Sequence, residues 1–450
     1  MNTLQSIPVR SSSSSSAGQA GPTFEATRKP ARLLGLMVAL ALAGCAAPPP
    51  PSEPAPAPKA EPAVVAPAPA PTPAPVTPPP PPPAPPPILP FEEAVLAAAS
   101  QVLGKTVLPP DGKFDVVIDP LIDGVTGMQT VTTKSMGVRL AQIIRDQHPR
   151  YTVQPFKVST VQQGPLLLIG TFTGVNSERK TEGKREAYRI CFAMADLKSG
   201  KLVAKGLAFA KADGVDGTPL SYFRDAPVWL DDPATTGYIR TCQGTRAGDA
   251  INAAYIDRIV TAATVAEAID AYGNGRFADA LKLYESALVA PGGDQLRVHT
   301  GLYLTNLKLR RMPQARKAFG DVIDRGLDIK RLGVKFLFSP GTAVPWIDPK
   351  AGPQPYTLWI SEIAARASKR ATCLELGGHT SATGAEPVNE RLSLLRADSV
   401  RKSLGAVVPA LGKRMDSKGY GSKQTLVGNG RDDLSDALDR RVELKVHDCS

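Results

Sequence analysis

The sequence predicts a multidomain α/β and α+β protein with a small α/β sandwich, a short helical-repeat unit and a βαβαβ-type domain. Of the 45 residues from 46 to 90, 23 are proline, and only 21 prolines occur in the other 405 residues. After residue 91, apolar patterns typical of strands and helices alternate, and one helical pattern recurs between residues 256 and 326. The chain therefore divides into a segment 1–45, a tether 46–90 and folded regions 91–254, 256–326 and 332–450.

The first segment has the pattern of an export signal. Arg28, Lys29 and Arg32 precede an apolar run of ten residues, 33–42. Ten residues span about 15 Å as a helix, half of a bilayer core, so the run predicts a signal peptide and not a membrane anchor.

The run ends in Leu42-Ala43-Gly44-Cys45, which resembles the lipobox of bacterial lipoproteins. The resemblance implies cleavage before Cys45, diacylglycerol on its thiol and a further acyl chain, such as palmitate, on its amine, which together anchor firmly. Ala46 is not the Asp that retains such proteins at the inner membrane, so the resemblance implies an outer-membrane lipid anchor. The alternative is an unprocessed hydrophobic tail with a buried Cys.

The tether is Ala-Pro and poly-Pro sequence with three charged residues, Glu53, Lys59 and Glu61. Proline fixes φ and removes hydrogen-bond donors, so the tether is expected to adopt polyproline II conformation, with a contour of about 140 Å. A spacer is the favoured use, and a ligand for proline-binding domains is the alternative.

The region 91–254 predicts an α/β sandwich, because strand, helix and strand are followed by a meander. Helices are predicted at 91–103 and 135–147, and strands at 114–119, 151–158, 165–170, 188–197 and 202–209. The second helix has apolar positions at Met136, Val138, Leu140, Ile143 and Ile144.

This region is similar to envelope lipoproteins of the CsgG, FlgO and penicillin-binding-protein-activator type. The similar stretches are residues 116–120, 167–170 and 194–201. They determine topology more than chemistry. Asp119 and Asp196 each end a strand, where Asp commonly satisfies a turn, so a binding or scaffolding domain is favoured over an enzyme.

The region 256–326 has the spacing of tetratricopeptide repeats. A shift of 35 residues aligns one set of four residues with another: Phe277, Ala280, Tyr284 and Ala287 with Met312, Ala315, Phe319 and Val322. Two repeats are fewer than the three that stand alone, so the unit is expected to pack against a neighbour. A structural connector is favoured over a groove for a partner.

The region 332–450 predicts strands at 334–339, 374–376 and 442–446 and helices at 356–367 and 387–404. It strongly resembles the OmpA-like peptidoglycan-binding domain. Four motifs carry the resemblance in order: Gly378-His379-Thr380, the helix opening 389–397, the Gly419-x-Gly421 turn and the run 439–443.

The second of these helices predicts two parallel stripes. Val388, Leu392 and Leu395 predict a buried face, and Asn389, Ser393 and Arg396 a polar face one position on. An arginine at that place presents a guanidinium fork that suits a carboxylate.

The resemblance implies that Arg396 binds a carboxylate of the diaminopimelate residue in a peptidoglycan stem peptide. In the family an Asp after Gly-His-Thr commonly pairs with the ammonium, and Ser381 stands there. The missing charge corresponds to about 1 to 3 kcal/mol. Weaker binding, a different stem-peptide specificity and a purely structural domain are all open, and Glu386 is an alternative partner for the ammonium.

Further candidate contacts at this site are Asn389, Thr380, His379 and Arg440. His379 is expected to fix the loop by hydrogen bonding and not to act as a catalyst. Arg440 and Arg441 are interpreted as ligand contacts or as a solvated face.

Four cysteines remain besides Cys45, in two pairs: Cys191 and Cys242, Cys373 and Cys449. An even count in an exported chain, two in each folded region, predicts disulfides within each region, although four cysteines allow three connectivities. Buried free thiols are the alternative.

Charge and histidine content narrow the function further. The net charge of +11 contains +3 from the segment 1–45 and −1 from the tether, so the folded regions carry about +9, which suits anionic wall polymers or lipid headgroups. The export signal argues against nucleic acid. None of the four histidines has metal-ligand spacing, and neither a phosphate loop nor a catalytic triad is recognisable, so no cofactor, no metal and no enzyme activity are expected.

These observations predict an outer-membrane lipoprotein with a periplasmic body that links the membrane to peptidoglycan without covalent bonds. The alternative is an accessory or regulatory lipoprotein of a peptidoglycan-synthesis or secretion machine. In that alternative the first region and the repeats bind an unidentified protein partner.

Overall fold

The computed structural model describes residues 85–106, 109, 112–182, 185–347, 354–428, 430 and 434–449. They belong to one compact unit, Pro81–Ser450. The predicted signal segment, Cys45 and residues 46–84 of the tether lie outside the described residues. No helix in the described part of the chain is both long and apolar enough to cross a bilayer. The boundaries proposed between the folded regions remain predictions.

The first sheet has parallel and antiparallel halves. Within the described residues it has seven strands: β1 Ile88–Leu89, β2 Phe114–Ile118, β3 Ile122–Asp123, β4 Tyr151–Gln154, β5 Leu166–Val175, β6 Ala187–Asp196 and β7 Lys201–Lys211. The order is β1-β7-β6-β5-β2-β4, with β3 paired to β5. The strands β5, β6 and β7 form the predicted antiparallel meander, whereas β2 lies parallel to both β4 and β5.

Both faces of the first sheet are covered by helices, so this region has three layers. Its helices are α1 Phe91–Gly104, α2 Val131–Gln147, α3 Val158–Val161, α4 Ser221–Asp225, α5 Pro233–Gln243 and α6 Ala253–Ile256. Side chains alternate along β5: Leu166 and Leu168 belong to the core under α1 and α2, and Leu167 and Ile169 to the core under α5. The predicted α/β character is confirmed.

Two helical hairpins follow: α7 Ile259–Gly273, α8 Phe277–Val289, α9 Leu296–Lys308 and α10 Met312–Asp328. The 35-residue shift reappears in the structure, since α8 begins at Phe277 and α10 at Met312. The equivalent side chains Tyr284 and Phe319 are both fully buried. The structure therefore has the periodicity that the sequence predicts, while the tetratricopeptide assignment stays a prediction.

The last region has a mixed sheet with helices between its strands. Its elements are β8 Lys335–Leu337, α11 Tyr356–Ala367, β9 Thr372–Gly378, α12 Glu386–Val407, a 3₁₀ helix Pro409–Arg414, β10 Met415–Gly419, α13 Leu434–Ala437 and β11 Arg441–Asp448. The strand order among the described residues is β10-β9-β11-β8. The strand β9 pairs in parallel with β10 and antiparallel with β11, which places the ends of β9 and β10 side by side.

The structure changes the bounds of two predicted strands and adds two elements that were not predicted. The strand predicted at 151–158 ends at Gln154, because Pro155 follows and cannot donate to a ladder. The strand predicted at 165–170 continues to Val175 in a fully buried run. The helix α5, which Asp232 caps, was not predicted. The strand β10 was not predicted either, because its sequence Met-Asp-Ser-Lys-Gly lacks a strand-like apolar pattern.

Both pairs of cysteines form disulfide bonds within their regions. Cys191 of β6 is bonded to Cys242 of α5, and Cys373 of β9 to Cys449. The first bond therefore holds α5 on the sheet, and the second joins the residue after β11 to the start of β9.

Candidate functional site

The four C-terminal motifs meet at one end of the second sheet. The backbone N–H of Thr380 donates to the carbonyl of Gly421 at 2.9 Å, and the N–H of His379 donates to the carbonyl of Arg441 at 2.8 Å. Gly421 in turn donates its N–H to the Ser393 hydroxyl at 3.0 Å. One hydrogen-bonded cluster thus joins the loop after β9, the helix α12, the turn after β10 and the start of β11.

Two glycines allow α12 to lie directly on the sheet. A Cβ at Gly378 would stand 1.9 Å from the carbonyl oxygen of Ser393, and a Cβ at Gly419 would stand 2.5 Å from that of Glu390. Real Cβ atoms do not tolerate such distances, so the backbones meet only because these residues lack one. The glycines of the motifs therefore position the helix that carries the candidate residues.

The prediction of which α12 face is buried was wrong. Asn389, Ser393 and Arg396 face the sheet and are buried, whereas Val388 is 54% and Leu395 56% exposed. Leu392, the middle residue of the predicted buried stripe, is half-buried. The closeness of the backbones explains the reversal, because only side chains that are small or that bond the nearby loops fit at this contact.

Arg396 is fully buried and donates to three backbone carbonyls. Its Nε bonds the oxygen of Thr342 at 2.8 Å, Nη1 that of His379 at 3.1 Å and Nη2 that of Ser339 at 2.9 Å. Burial, and then the neighbouring Arg440, lower the pKa of Arg396 to about 10. Three of the five N–H donors of the fork that was predicted for a carboxylate hold the protein's own loops instead.

His379 is buried and its ring stacks on Tyr420, with centroids 5.2 Å apart. Nε2 lies 3.4 Å from a carboxylate oxygen of Glu443, but neither ring nitrogen makes a hydrogen bond in the described residues. Burial and the charge of Arg441 lower the pKa of His379 to about 4, so the ring is neutral at physiological pH. The loop-fixing expected of this residue comes from its main chain.

The other predicted contacts are also buried. Asn389 donates its amide Nδ2 to the carbonyl of Thr383 at 3.2 Å, and Arg440 donates Nε to that of Phe338 at 3.2 Å. Thr380 and Ser381 belong to the loop after β9 and are 5% exposed or less. The six residues His379, Thr380, Ser381, Asn389, Arg396 and Arg440, here called the β9–α12 site, are thus brought together in one closed cluster.

Glu386, the alternative partner for an ammonium, has another role in this structure. Its carboxylate accepts from the N–H of Ser422 at 3.2 Å and from the hydroxyl of the same residue. It therefore joins the first turn of α12 to the loop after β10.

Sequence reasoning missed the residues that couple this site to the rest of the chain. Trp229, which precedes α5, donates its indole N–H to Glu443 at 2.9 Å, and Glu443 also accepts from Arg441 at 3.1 Å. Lys335 lies under the Trp229 ring, 4.5 Å from its centre. Glu443 was part of a quoted motif, but no pattern in the sequence indicates that Trp229 reaches it.

No group of three or more His, Cys, Asp or Glu side chains in the described residues could hold a metal ion. The β9–α12 site is rich in polar groups, and all six of its residues are buried in this structure. Its one histidine has a lowered pKa and makes no ring hydrogen bond among the described residues.

Comparison with solved structures finds similarity over one quarter of the chain. The peptidoglycan-associated lipoprotein of Burkholderia pseudomallei is 23% identical over 25% of this chain and 89% of that chain, with a TM-score of 0.21. The C-terminal domain of Helicobacter pylori MotB is 24% identical over 26% of this chain and 85% of that chain, also at 0.21. The OmpA-like domain of Francisella tularensis FopA1 is 18% identical over 26% of this chain and 75% of that chain, at 0.19.

No protein-family model and no curated protein matches the sequence. At these TM-scores the similarity does not by itself support a function for this chain. The function proposed below depends on the residues of this chain.

Proposed function

We propose that this chain is a lipid-anchored protein of the bacterial envelope that binds peptidoglycan non-covalently through the β9–α12 site and so links the outer membrane to the cell wall. The observation that carries the proposal is the hydrogen-bonded convergence of four motifs at one end of the second sheet. No bond has to be made or broken for this function.

The ligand class follows from the chemistry of the site and from the charge of the chain. A stem peptide offers carboxylates, an ammonium and peptide groups. The folded regions carry about +9, which attracts an anionic polymer. Arg396 is fully buried and holds three loop carbonyls, so its part in the proposal is to shape the rim against which a stem peptide would bind.

Ser381 sets the expected strength of binding. It brings no charge to meet an ammonium, so wild-type affinity is expected to lie below that of the Ser381→Asp variant. A charge-assisted bond of about 1.4 kcal/mol corresponds to a tenfold difference in affinity.

The test is cosedimentation of residues 46–450 with purified sacculi. The longer chain is chosen over residues 332–450 because one apolar core runs from Tyr222 through the helical hairpins to Val446. A fragment that begins at residue 332 would expose much of that core.

Four proteins are compared: wild type, Arg396→Lys, Ser381→Asp and the control Arg391→Lys, which changes an exposed arginine on the same helix. We expect wild type and control to pellet equally, Arg396→Lys to bind about tenfold more weakly and Ser381→Asp more tightly. Thermal unfolding of each variant separates loss of binding from loss of fold. If Ser381→Asp alone pellets, the wild-type chain is not a wall anchor.

The anchor is tested separately, in cells. Full-length protein should incorporate labelled palmitate and fractionate with the outer membrane, and Cys45→Ser should do neither. Labelling that survives in Cys45→Ser would contradict the proposed lipidation.

A further inference from the structure

A groove of about 580 Å³ lies far from the β9–α12 site, between α2 and α7. Ile118 and Leu121 lie on its first-sheet side, Val138 is on the α2 wall, and Ile269 is on the α7 wall. A volume of this size with a largely apolar lining is typical of a binding site.

The groove lies where an α/β sheet commonly binds its ligands. Ile118 ends β2 and Gln154 ends β4, and the two strands are parallel, so the groove opens at their carboxyl ends. The strand β5 is also parallel to β2 and pairs with its other side; the chain goes on from β2 to β4 and from β5, in the opposite direction, to β6. Crevices outside the carboxyl ends of strands at such a switch point are the general location of ligand sites.

The α2 wall is an exposed stripe on an otherwise ordinary amphipathic helix. Val131 is 42% and Val138 62% exposed, and Lys134 and Ala141 continue the same face. The predicted placement of Val138 on the buried face was therefore wrong. The sheet core takes Met136, Leu140, Ile143 and Ile144, and the second apolar stripe faces the groove.

The unneutralised charge at the groove is positive. Asp270 on the α7 wall accepts from Asn274 at 3.0 Å and pairs with Arg276 at 3.4 Å. Arg224 pairs with Asp225 at 3.2 Å. Lys134 has no partner among the described residues, so a carboxylate is the complement that the groove lacks.

The dimensions and polar groups fit an extended peptide. From Val131 to Ala141 the α2 wall is about 15 Å long, which matches about four residues of extended chain. The carboxamides of Gln129, Gln154 and Asn274 lie among the apolar side chains. Gln154 and Asn274 donate their N–H groups to Asp115 and Asp270, so their oxygens are the groups that can accept from a peptide.

We propose that this groove binds an extended apolar peptide segment of a partner protein, about four residues long, with a carboxylate that pairs with Lys134. The groove is separate from the proposed wall site and does not depend on it. Two regions of the chain form it, the first sheet with α2 and the helix α7, so the segment contacts both at once.

The experiment selects random dodecapeptides displayed on phage against residues 46–450 and measures the recovered peptides by fluorescence anisotropy. Four proteins are titrated: wild type, Val138→Arg, Lys134→Glu and the control Arg145→Glu, an exposed charge on α2 outside the groove. Val138 and Lys134 are both exposed, so these variants are expected to fold, which thermal unfolding checks.

We expect recovered peptides to combine an apolar run with an acidic residue. Val138→Arg and Lys134→Glu should each weaken binding about tenfold, and Arg145→Glu should leave it unchanged. Sacculus binding should be unchanged in every variant, which distinguishes failure of this site from failure of the wall site.

Three outcomes would overturn the proposal. One is no enrichment of peptides over unrelated protein, and another is equal binding of the recovered peptides to Val138→Arg and wild type. The third is a dimer in size-exclusion chromatography that Val138→Arg converts to monomer, because a second copy would then occupy the groove.

Discussion

In each of the two sheets a helix packs directly against a strand glycine, and the two contacts differ in the side chains that the helix buries there. A Cβ at Gly206 of β7 would stand 1.9 Å from the carbonyl oxygen of Ala98 in α1. A Cβ at Gly378 of β9 would stand 1.9 Å from that of Ser393 in α12. The backbone geometry is therefore the same, and the side chains beside it are not.

At the first contact the buried residues of α1 are all apolar: Ala94, Val95, Ala98, Ala99, Val102 and Leu103. At the second contact α12 buries Asn389, Ser393 and Arg396, and exposes Val388 and Leu395. Burying polar groups while exposing apolar ones lowers stability unless every polar group is bonded. Packing alone explains α1, whereas the hydrogen bonds of Asn389, Ser393 and Arg396 to the nearby loops explain why α12 is turned this way.

The largest expected effect comes from removing the guanidinium at the second contact. Arg396→Met removes three charge-assisted bonds, to the buried carbonyl of His379 and to the part-buried carbonyls of Thr342 and Ser339. At about 1.5 kcal/mol each, their loss should lower the free energy of unfolding by about 5 kcal/mol. Val102→Ala at the first contact deletes only methyl groups and should cost about 2 kcal/mol. Urea unfolding of both variants measures the difference.

Arg391→Met, on the exposed face of α12, is the matched control and should change stability by less than about 0.5 kcal/mol. Equal losses in Arg396→Met and Val102→Ala would show that the three carbonyl bonds contribute little. The two helix contacts would then be energetically alike.

The second largest effect is expected from adding a methyl group to the glycine at each of the two contacts. Gly206→Ala and Gly378→Ala each force a Cβ against a backbone oxygen that cannot rotate away, and each should cost about 4 kcal/mol, above the usual range for overpacking. Gly104→Ala, where a Cβ meets nothing within 4 Å, is the control. Urea unfolding gives the stabilities.

The two glycine variants are expected to differ in their binding to sacculi. Under conditions where both remain folded, only Gly378→Ala should lose binding. Equal loss of binding in Gly206→Ala would place the wall contact outside the second sheet.

Sequence patterns predicted the elements well where the pattern is local. The helix predicted at 356–367 is α11, and the 35-residue shift reproduces the starts of α8 and α10. Periodicity reports the faces of a helix, so these elements could be read from their own residues.

The sequence did not reveal which face of α12 is buried. Val388, Leu392 and Leu395 have the spacing of a buried face, but the partner strand, with Gly378, determines the contact. The site residues were found by motif, yet two of the three carbonyls that Arg396 holds belong to Ser339 and Thr342, more than 50 residues away in the sequence. Such pairings depend on tertiary structure and have no local pattern.

The two regions also differ in the pKa of a buried carboxyl group. Burial raises the pKa of Asp119 at the end of β2 to about 7, although Tyr255 donates to it at 2.5 Å. Burial opposes the charged form of Glu443 near the second contact, but the charge of Arg441 holds the pKa of Glu443 well below its usual range. One carboxyl thus prefers its proton and the other prefers its charge.

The two carboxyls should therefore respond to pH in opposite directions. The raised pKa of Asp119 gives stability that is present below its unfolded value near 3.8 and is lost as the pH rises through about 7. The lowered pKa of Glu443 gives stability that is present above its ordinary value of 4.5 and is lost as the pH falls below it.

Between pH 5 and pH 8 the Asp119 contribution should fall by about 3 kcal/mol, from the separation of the two pKa values. Asp119→Asn keeps an acceptor for Tyr255 and should flatten the pH dependence of the unfolding free energy in that window. Glu443→Gln should flatten it only below pH 5. A pH profile of Asp119→Asn that parallels the wild type would refute the assignment to this carboxyl.

The smallest expected effect compares two indole hydrogen bonds. Trp229 donates to the ionised Glu443 at 2.9 Å, and Trp359 donates to the neutral hydroxyl of Tyr303 at 2.8 Å. Bonds to charged groups are about twice as strong as neutral ones. Beyond the free energy lost with the apolar contacts of each indole, Trp229→Phe should lower the free energy of unfolding by about 1.5 kcal/mol and Trp359→Phe by about half of that. Because Glu443 lies beside His379, only Trp229→Phe should also weaken sacculus binding. Equal binding by both variants would mean that the residues before α5 support the fold of the second sheet and have no influence on the β9–α12 site.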